Sequence, residues 1–411
     1  FRPLKGVINM FSFAPGWGIN GNLPNPNVAK TTTIQFNEYN NKGTYGYNGT
    51  YMSAIAPANL RLTTLQWEKT QSWNLGFNLN FWEDLLCFNL NLYRKNTSEL
   101  LQANVKIPSS VGYSKLDWAN VGRLKNTGWE LNASTKDIFK IGKFSMKVKF
   151  NASQNRNRIM EMDASVLSTI NGDFNYQNEN YLSRVQIGNA LYSIYGFRYK
   201  GVYRYNYDHS GYFADESKNA LYGENTAAAA AARGENATCP IARDANGNII
   251  FDADGNPLRM YYNYGNTNYQ FAGGDAIYED INHDGQINEL DIVYLGNSNP
   301  SFNGGFGFDF KYGRWTLKTS FNVRLGADIV NLARMYAEDM RTNKNQSAAV
   351  SWRWRKNGDI TEIPRAMNVN AGSSYNALAS DRYVENSDFI RLQYMQLSYT
   401  FDKSFLKRLG L

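Results

Sequence analysis

Alternation with a period of two runs through much of this chain. From Trp73 to Phe81 the odd positions are Trp73, Leu75, Phe77, Leu79 and Phe81, and the even ones are Asn74, Gly76, Asn78 and Asn80. A tight turn over 82–85 leads into Leu86, Phe88, Leu90 and Leu92, which alternate with Cys87, Asn89, Asn91 and Tyr93. Successive side chains of a strand point to opposite faces, so this is a hairpin with one apolar and one polar face; a helix would repeat every 3.6 residues. The polar face carries amides, hydroxyl and glycine where a soluble sheet would carry charge as often. Bulky rings on one side and amides on the other fit a wall between lipid and a wet lumen.

The same pattern predicts about eight strands of membrane-crossing length, over 7–19, 72–82, 86–96, 127–135, 143–154, 302–311, 314–325 and 388–401. On the fifth, Phe144, Met146, Val148, Phe150 and Ala152 oppose Ser145, Lys147, Lys149 and Asn151; on the seventh, Trp315, Leu317, Phe321 and Val323 oppose Thr316, Lys318, Ser320, Asn322 and Arg324. Lys147, Lys149, Lys318 and Arg324 would be costly toward lipid and are ordinary toward water. Two strands are irregular. The first is ragged around Pro15, and the last changes parity, which predicts a bulge near Met395.

Connections alternate between short (82–85, 136–142, 312–313) and long (20–71, 97–126, 155–301, 326–387). Compact soluble domains seldom use loops beyond about 15 residues. Outer-membrane barrels do, with short periplasmic turns and long extracellular loops, so the four long connections are expected outside and the stretch 402–411 on the periplasmic side. The fold class expected is therefore all-β, a transmembrane antiparallel β-barrel wall with long extracellular loops.

Composition fits this picture. The 411 residues contain 19% charged and 15% aromatic residues at a mean hydropathy of -0.52, and no run approaches the roughly 18 apolar residues that a membrane helix needs. A barrel strand needs only every second residue apolar, so low hydropathy does not argue for solubility. Net charge is +7, with basic residues scattered along the chain, which argues against a nucleic-acid partner. Cys87 and Cys239 stand in unrelated contexts and suggest neither a disulfide framework nor a metal cluster. Phe1 has no methionine or leader before it and Leu411 follows a turn, so the chain reads as a piece of a longer protein.

One motif carries chemistry. Residues 280–291 match the twelve-residue calcium loop: Asp280, Asn282 and Asp284 at positions 1, 3 and 5, Gly285 at the sharp turn, Gln286 offering its carbonyl, Asn288 at 9 and Asp291 at 12. Hard Ca2+ prefers such a crowd of oxygens, and three carboxylates balance its charge. The usual glutamate at position 12 is replaced by the shorter Asp291, as in dockerin-like modules. The motif lies in the longest loop, 155–301, where a structural Ca2+ is expected. Asp244 and Asp252 open two hairpin turns, and Ala227 to Ala232 form a low-complexity spacer.

No catalytic residues are expected. The chain has two histidines, His209 and His283, and the adjacent acids Glu338 and Asp339 read as a solvated face. Aromatic residues of the long loops, Tyr261, Tyr262, Tyr264 and Tyr269 with Trp352 and Trp354, are candidates to meet a substrate or partner, because rings offer large rigid contact area.

Several segments together resemble the C-terminal part of SusC/RagA-type TonB-dependent outer-membrane transporters of the Bacteroidetes. They are 65–70 (LQWEKT), 93–101 (YRKNTSELL), 108–113 (PSSVGY), 120–122 with 126–131 (NTGWEL), 192–197 (YSIYGF), the block from Asp280 through 296–300 (GNSNP), and 383–392 (YVENSDFIRL). The resemblance implies a roughly 22-stranded barrel plugged by an N-terminal domain. It also implies energy from the TonB complex, a SusD-like surface lipoprotein as partner, and glycan or peptide import across the Gram-negative outer membrane. Plug and last strands would lie outside these residues, so the chain alone is not expected to close a pore. A secreted, calcium-stabilised β protein that binds glycans is the alternative, and a glycan hydrolase a third reading.

Overall fold

A computed structural model of the chain describes residues 6–22, 65–107, 115–164, 186–206, 239–264, 267–341, 344–367 and 375–402, with short strand pieces between 34 and 57 and a few isolated positions. Eight long antiparallel strands form one sheet: β1 (Ile8–Asn22), β2 (Glu68–Phe81), β3 (Leu86–Ser98), β4 (Gly122–Thr135), β5 (Phe144–Met162), β6 (Phe302–Tyr312), β7 (Trp315–Leu325) and β8 (Phe389–Tyr399). Their order across the sheet is their order along the chain, and Ile138–Ile141 adds a short piece against β5. β1 and β8 are the sheet's edges and do not pair with each other.

Register carries the alternation of single strands into rows across the whole wall. Asn78, Asn89, Asn132 and Asn151 are successive partners on β2 to β5, and Asn89 donates to the Asn78 side chain. The next row is apolar: Leu79, Phe88, Ala133, Phe150, Phe306, Phe321 and Leu392. A slip of one residue at any pairing would break both rows, so the pattern fixes the register. The tight turns also step along the sheet. The row through Phe81 and Leu86, continued one step beyond the Ser134–Lys149 pair, reaches Phe308 and Thr319, four residues short of the Tyr312–Trp315 turn pair. That is roughly one residue per strand, the stagger of a tilted barrel wall.

Some boundaries differ from expectation. β4 begins at Gly122 and β5 runs to Met162, five residues before and eight residues beyond the alternating stretches. Ladder hydrogen bonds need no apolar side chains, so the strands continue past the apolar band as the polar pairs Lys125–Arg158 and Asn126–Asn157. β1 passes through Pro15 without a break, because an edge strand has a side on which a missing donor costs nothing. The bulge on β8 is at Gln393, left unpaired between Leu392–Phe321 and Tyr394–Ser320, and it returns Met395 and Leu397 to the apolar face. Lys149 meets Asp309 at 3.2 Å and Lys147 meets Asp137 at 3.6 Å, so wall carboxylates already answer two of the lysines on the polar face.

The connections 23–67, 99–121, 163–301 and 326–388 leave the same end of the sheet, and the tight turns occupy the other. Gly313 takes a positive φ of 57° in the β6–β7 turn. At the β2–β3 turn Trp82, Glu83 and Asp84 all have φ between 50° and 60° with no glycine among them. Left-handed L-residues cost about 1–2 kcal/mol each, so ladder pairing and the bond from Leu85 N to Trp82 O must hold this turn. No helix among the described residues is long and apolar enough to cross a membrane, which bears on helices and not on strands.

The main buried apolar cluster lies away from the wall. Tyr195, Phe197, Tyr203, Met260, Tyr262, Phe271, Tyr278 and Ile287 of the 163–301 connection pack with Tyr375 and Leu378 of the 326–388 connection. Short antiparallel strand pairs frame it: Ser193–Gly196 with Val293–Asn297, Tyr199–Val202 with Ala276–Tyr278, Tyr261–Tyr264 with Thr267–Gln270, and Asp328–Val330 with Val384–Asn386. Two long loops thus fold into one unit at the end of the wall.

Candidate functional site

A buried carboxylate ties that unit together. Asp275 is fully enclosed and accepts from Arg365 Nε at 2.7 Å, Tyr269 OH at 2.7 Å, the Ala272 amide at 2.8 Å and Asn376 Nδ2 at 3.3 Å. The amide of Ala276 in turn donates to Asn376 Oδ1 at 2.8 Å. Arg365 and Asn376 belong to the later loop, so the network joins segments about a hundred residues apart. A second network lies within the later loop: Glu338 accepts from Arg334 Nε at 2.9 Å and Arg382 Nη2 at 2.7 Å. Glu338 is buried in this pairing, which corrects the expectation of a solvated acidic face at Glu338 and Asp339. Low exposure requires such partners, since an unpaired buried charge is strongly destabilising.

The twelve-residue loop is built on the same unit. Ile287 is fully buried in the cluster, and Gln286 and Ile287 run parallel to Tyr261 and Tyr262. Gly285 takes a φ of 81°, and a side chain there would meet Ala242 and Leu258 at 2.8 Å. The acidic side chains are folded inward. Asp280 accepts from the amides of Asp284 (3.2 Å) and Gly285 (2.8 Å), Asp284 from Gln286 (2.8 Å), and Asp291 from Ile281 (2.8 Å) and Asn288 (2.9 Å). Asn288 caps the turn 289–291 through Leu290, and Asn282 hydrogen-bonds Asp284.

Burial pushes Asp291 up to about 6, with Asp280 and Asp284 adding repulsion; burial, then Asp284, raises Asp280 as well. No ion pair relieves these three carboxylates among the described residues. Nor do three His, Cys, Asp or Glu side chains among those residues group to hold a metal by themselves, so a cation here would draw on amide and carbonyl oxygens too. The donor set of Asp280, Asn282, Asp284, Gln286, Asn288 and Asp291 fits a hard divalent ion in chemistry, and each carboxylate oxygen keeps a free lone pair.

The candidate aromatics divide. Tyr262 is buried, its ring 4.9 Å from that of Tyr375, and Tyr269 stacks on Tyr375 at 4.3 Å while donating to Asp275. Burial withdraws Tyr262 from a ligand, which corrects the expectation for it, whereas Tyr269 is half-buried. Trp354 covers Gly274 and donates from Nε1 to Arg204 O at 3.0 Å. Tyr261 is half-buried, and the side chain of Tyr264 lies outside the described residues, as do His209 and Ala227 to Ala232. Trp352 is different: 79% of its surface is open, beside the equally open Ile360. Both line a cleft of about 1490 Å³ between the two loops, with Tyr199, Arg204, Arg243 and Arg382 on its walls. Asp275, Arg365, Tyr375 and Asn376 had no periodic or motif signal in the sequence.

No family model matches the chain. Similarity runs along its whole length to the TonB-dependent receptor P39 of Formosa agariphila, with 28% identity over 420 aligned residues, covering all of this chain and 36% of that protein. The TonB-dependent receptor SusC of Bacteroides thetaiotaomicron is 27% identical over 211 residues, half of this chain. The RagAB peptide transporter superposes on 97% of the chain with a TM-score of 0.63 at 17% identity. The whole chain is thus similar to one part of TonB-dependent receptors of SusC/RagA type. It spans about a third of the length of the relatives it matches. That similarity places it in the Gram-negative outer membrane, and its eight strands correspond to part of the RagA-type wall.

Proposed function

We propose that this chain supplies wall and outer loops to a TonB-energised importer that takes up glycans or peptides together with a SusD-like surface lipoprotein. One observation carries the reading: a sheet whose exposed face is apolar from Phe11 to Met395, joined at one end to loops that fold around an open cleft. Water would penalise such a face and lipid would not. The secreted alternative leaves that face without a partner. The wall would line the passage with its amide rows, and the loop unit would form the outer chamber, where Trp352 and Ile360 offer contact area to a substrate or to the lipoprotein. RagAB is a peptide transporter, and this supports peptides as one of the two substrate classes.

Calcium belongs to the same proposal, in a structural role. Asp280, Asn282, Asp284, Asn288, Asp291 and the Gln286 carbonyl would hold it, and the ion would compensate the charge of three neighbouring carboxylates, of which burial strains Asp280 and Asp291. The importer reading is tested by fractionating cells that produce the full-length protein. Heat-modifiable mobility in the outer-membrane fraction, and loss of growth on the cognate glycan or peptide on deletion, are expected. A soluble, monodisperse protein would overturn it.

A further inference from the structure

The outer face of the wall changes character at its long-loop end. Trp17 and Trp73 meet across β1 and β2 with ring centroids 6.1 Å apart and close the apolar band there. In the same row Arg94 lies on β3, Thr127 on β4 and Arg156 on β5. One step farther from the band, on the same face, come Gln71, Asn96, Lys125 and Arg158, with Lys69 beyond them. Adjacent strands are about 4.8 Å apart, so Arg94 and Arg156 flank β4 at roughly 10 Å, with Lys125 between and above. A shallow cleft of about 420 Å³ follows this patch, lined by Lys69, Arg94 and Lys125 with Gln71, Asn96 and Ile19.

These cations are unanswered. Among the described residues neither Arg94, Lys125, Arg156 nor Arg158 forms an ion pair, whereas nearby Arg123 is held by Glu161. At the tight-turn end Lys136 pairs with Asp84 at 3.4 Å and Arg314 with Asp402, while Lys140 and Lys143 form no ion pair among the described residues. Generic snorkelling at a membrane interface predicts cations at both ends alike. Cations do stand at both ends, but only the rim gathers four of them, Arg94, Lys125, Arg156 and Arg158, in two neighbouring rows of one face without a carboxylate partner among the described residues, and that density calls for an anion.

We propose that this rim binds the phosphate groups of the phosphorylated glycolipid of the outer leaflet, whose acyl chains then lie along the apolar band below Trp73. The inference rests on the outer-membrane reading above. Guanidinium groups match phosphate oxygens in paired hydrogen bonds, and the adjoining hydrocarbon keeps water from weakening them. Nine residues from Trp73 to Phe81 span the band, which puts the rim at headgroup depth when the tight turns reach the opposite surface.

The test uses the full-length protein extracted from outer membranes, with heat-modifiable mobility checked first. Binding of monophosphorylated lipid A, of its dephosphorylated form and of phosphatidylglycerol is measured in detergent, for wild type and for R94Q/K125Q/R156Q/R158Q. At least about tenfold weaker binding of the phosphorylated glycolipid alone is expected, with its salt dependence largely lost. Should the quadruple variant fail to assemble, R94Q and R156Q singly are each expected to weaken binding about fivefold, and K140Q at the other end not at all. Unchanged binding in an assembled variant, or equal competition by phosphatidylglycerol, overturns the inference and leaves the importer reading standing. A wild type without heat-modifiable mobility in the outer membrane overturns both.

Discussion

The wall and the loop unit solve opposite problems with the same residue types. On the wall the large apolar side chains point away from the protein, and Phe11, Trp73 and Met395 are each more than half exposed. In the loop unit Tyr195, Phe271 and Ile287 are almost wholly enclosed. The wall draws its order from ladder hydrogen bonds and from a solvent that must be lipid on one side. The loop unit behaves like an ordinary small domain, with a hydrophobic core and buried ion pairs, although its chain enters and leaves through strands of the wall. Damage to one region should therefore leave the other measurable.

The sharpest break is expected at Asp275→Ala. Removing this carboxylate strands Arg365, Tyr269 and the Ala272 amide, and breaking a buried pair from one side costs about 3–5 kcal/mol. In the full-length protein the 163–301 connection should become sensitive to limited proteolysis while heat-modifiable mobility survives. If both are lost together, loops and wall are one cooperative unit and the comparison fails. Leu90→Arg attacks the other side. Leu90 sits in the apolar row between Phe77 and Leu131, and an arginine at mid-depth on a lipid face costs roughly 2–4 kcal/mol. Its chain neighbour Asn89 lies on the opposite, polar face, so Asn89→Arg should assemble at near wild-type yield where Leu90→Arg does not.

These contrasts also mark what a sequence can disclose. Strand faces and the shared end of the long loops were legible because a wall repeats one rule for every strand. Boundaries of β4 and β5 were not, since hydrogen-bonded extension above the membrane leaves no apolar trace. The bulge was visible as a parity change and misplaced by two residues, from Gln393 to Met395, because parity records that a residue is extra and not which one. The sharp turn at Gly285 was legible because what sets it is local. Tyr262 was misread for a physical reason: a tyrosine that fills a core and one that stacks on a ligand are the same residue, and only Tyr375, more than a hundred residues later, decides between them. The Asp275–Arg365 pair is non-local in the same way.

Calcium should separate the regions more gently. Removing it from the full-length protein with a chelator is expected to lower the stability of the loop unit by about 1.4 kcal/mol if the ion is present at ten times its Kd. The mobility shift of the wall should not change. Asp280→Ala and Asp284→Ala should each abolish the response, because either change removes a charge that the ion requires. A chelator effect of equal size in both variants would remove the ion from these residues.

The smallest change in stability and the most local change in function are expected at Trp352→Ala. Its indole is 79% exposed, so truncation should alter the melting of the loop unit by less than about 0.5 kcal/mol. An exposed ring at the mouth of a cleft is nonetheless a suitable anchor, and replacing such an aromatic at the centre of an interface commonly costs about 2 kcal/mol of binding. Affinity for the cognate oligosaccharide or peptide, or for the surface lipoprotein, should then fall roughly thirtyfold with the fold intact. Whichever ligand loses affinity identifies what Trp352 touches. If neither does, the ring belongs to the solvated rim of the loop unit, and the contact surface lies elsewhere on the cleft, with Arg243 and Arg382 as the next side chains to truncate.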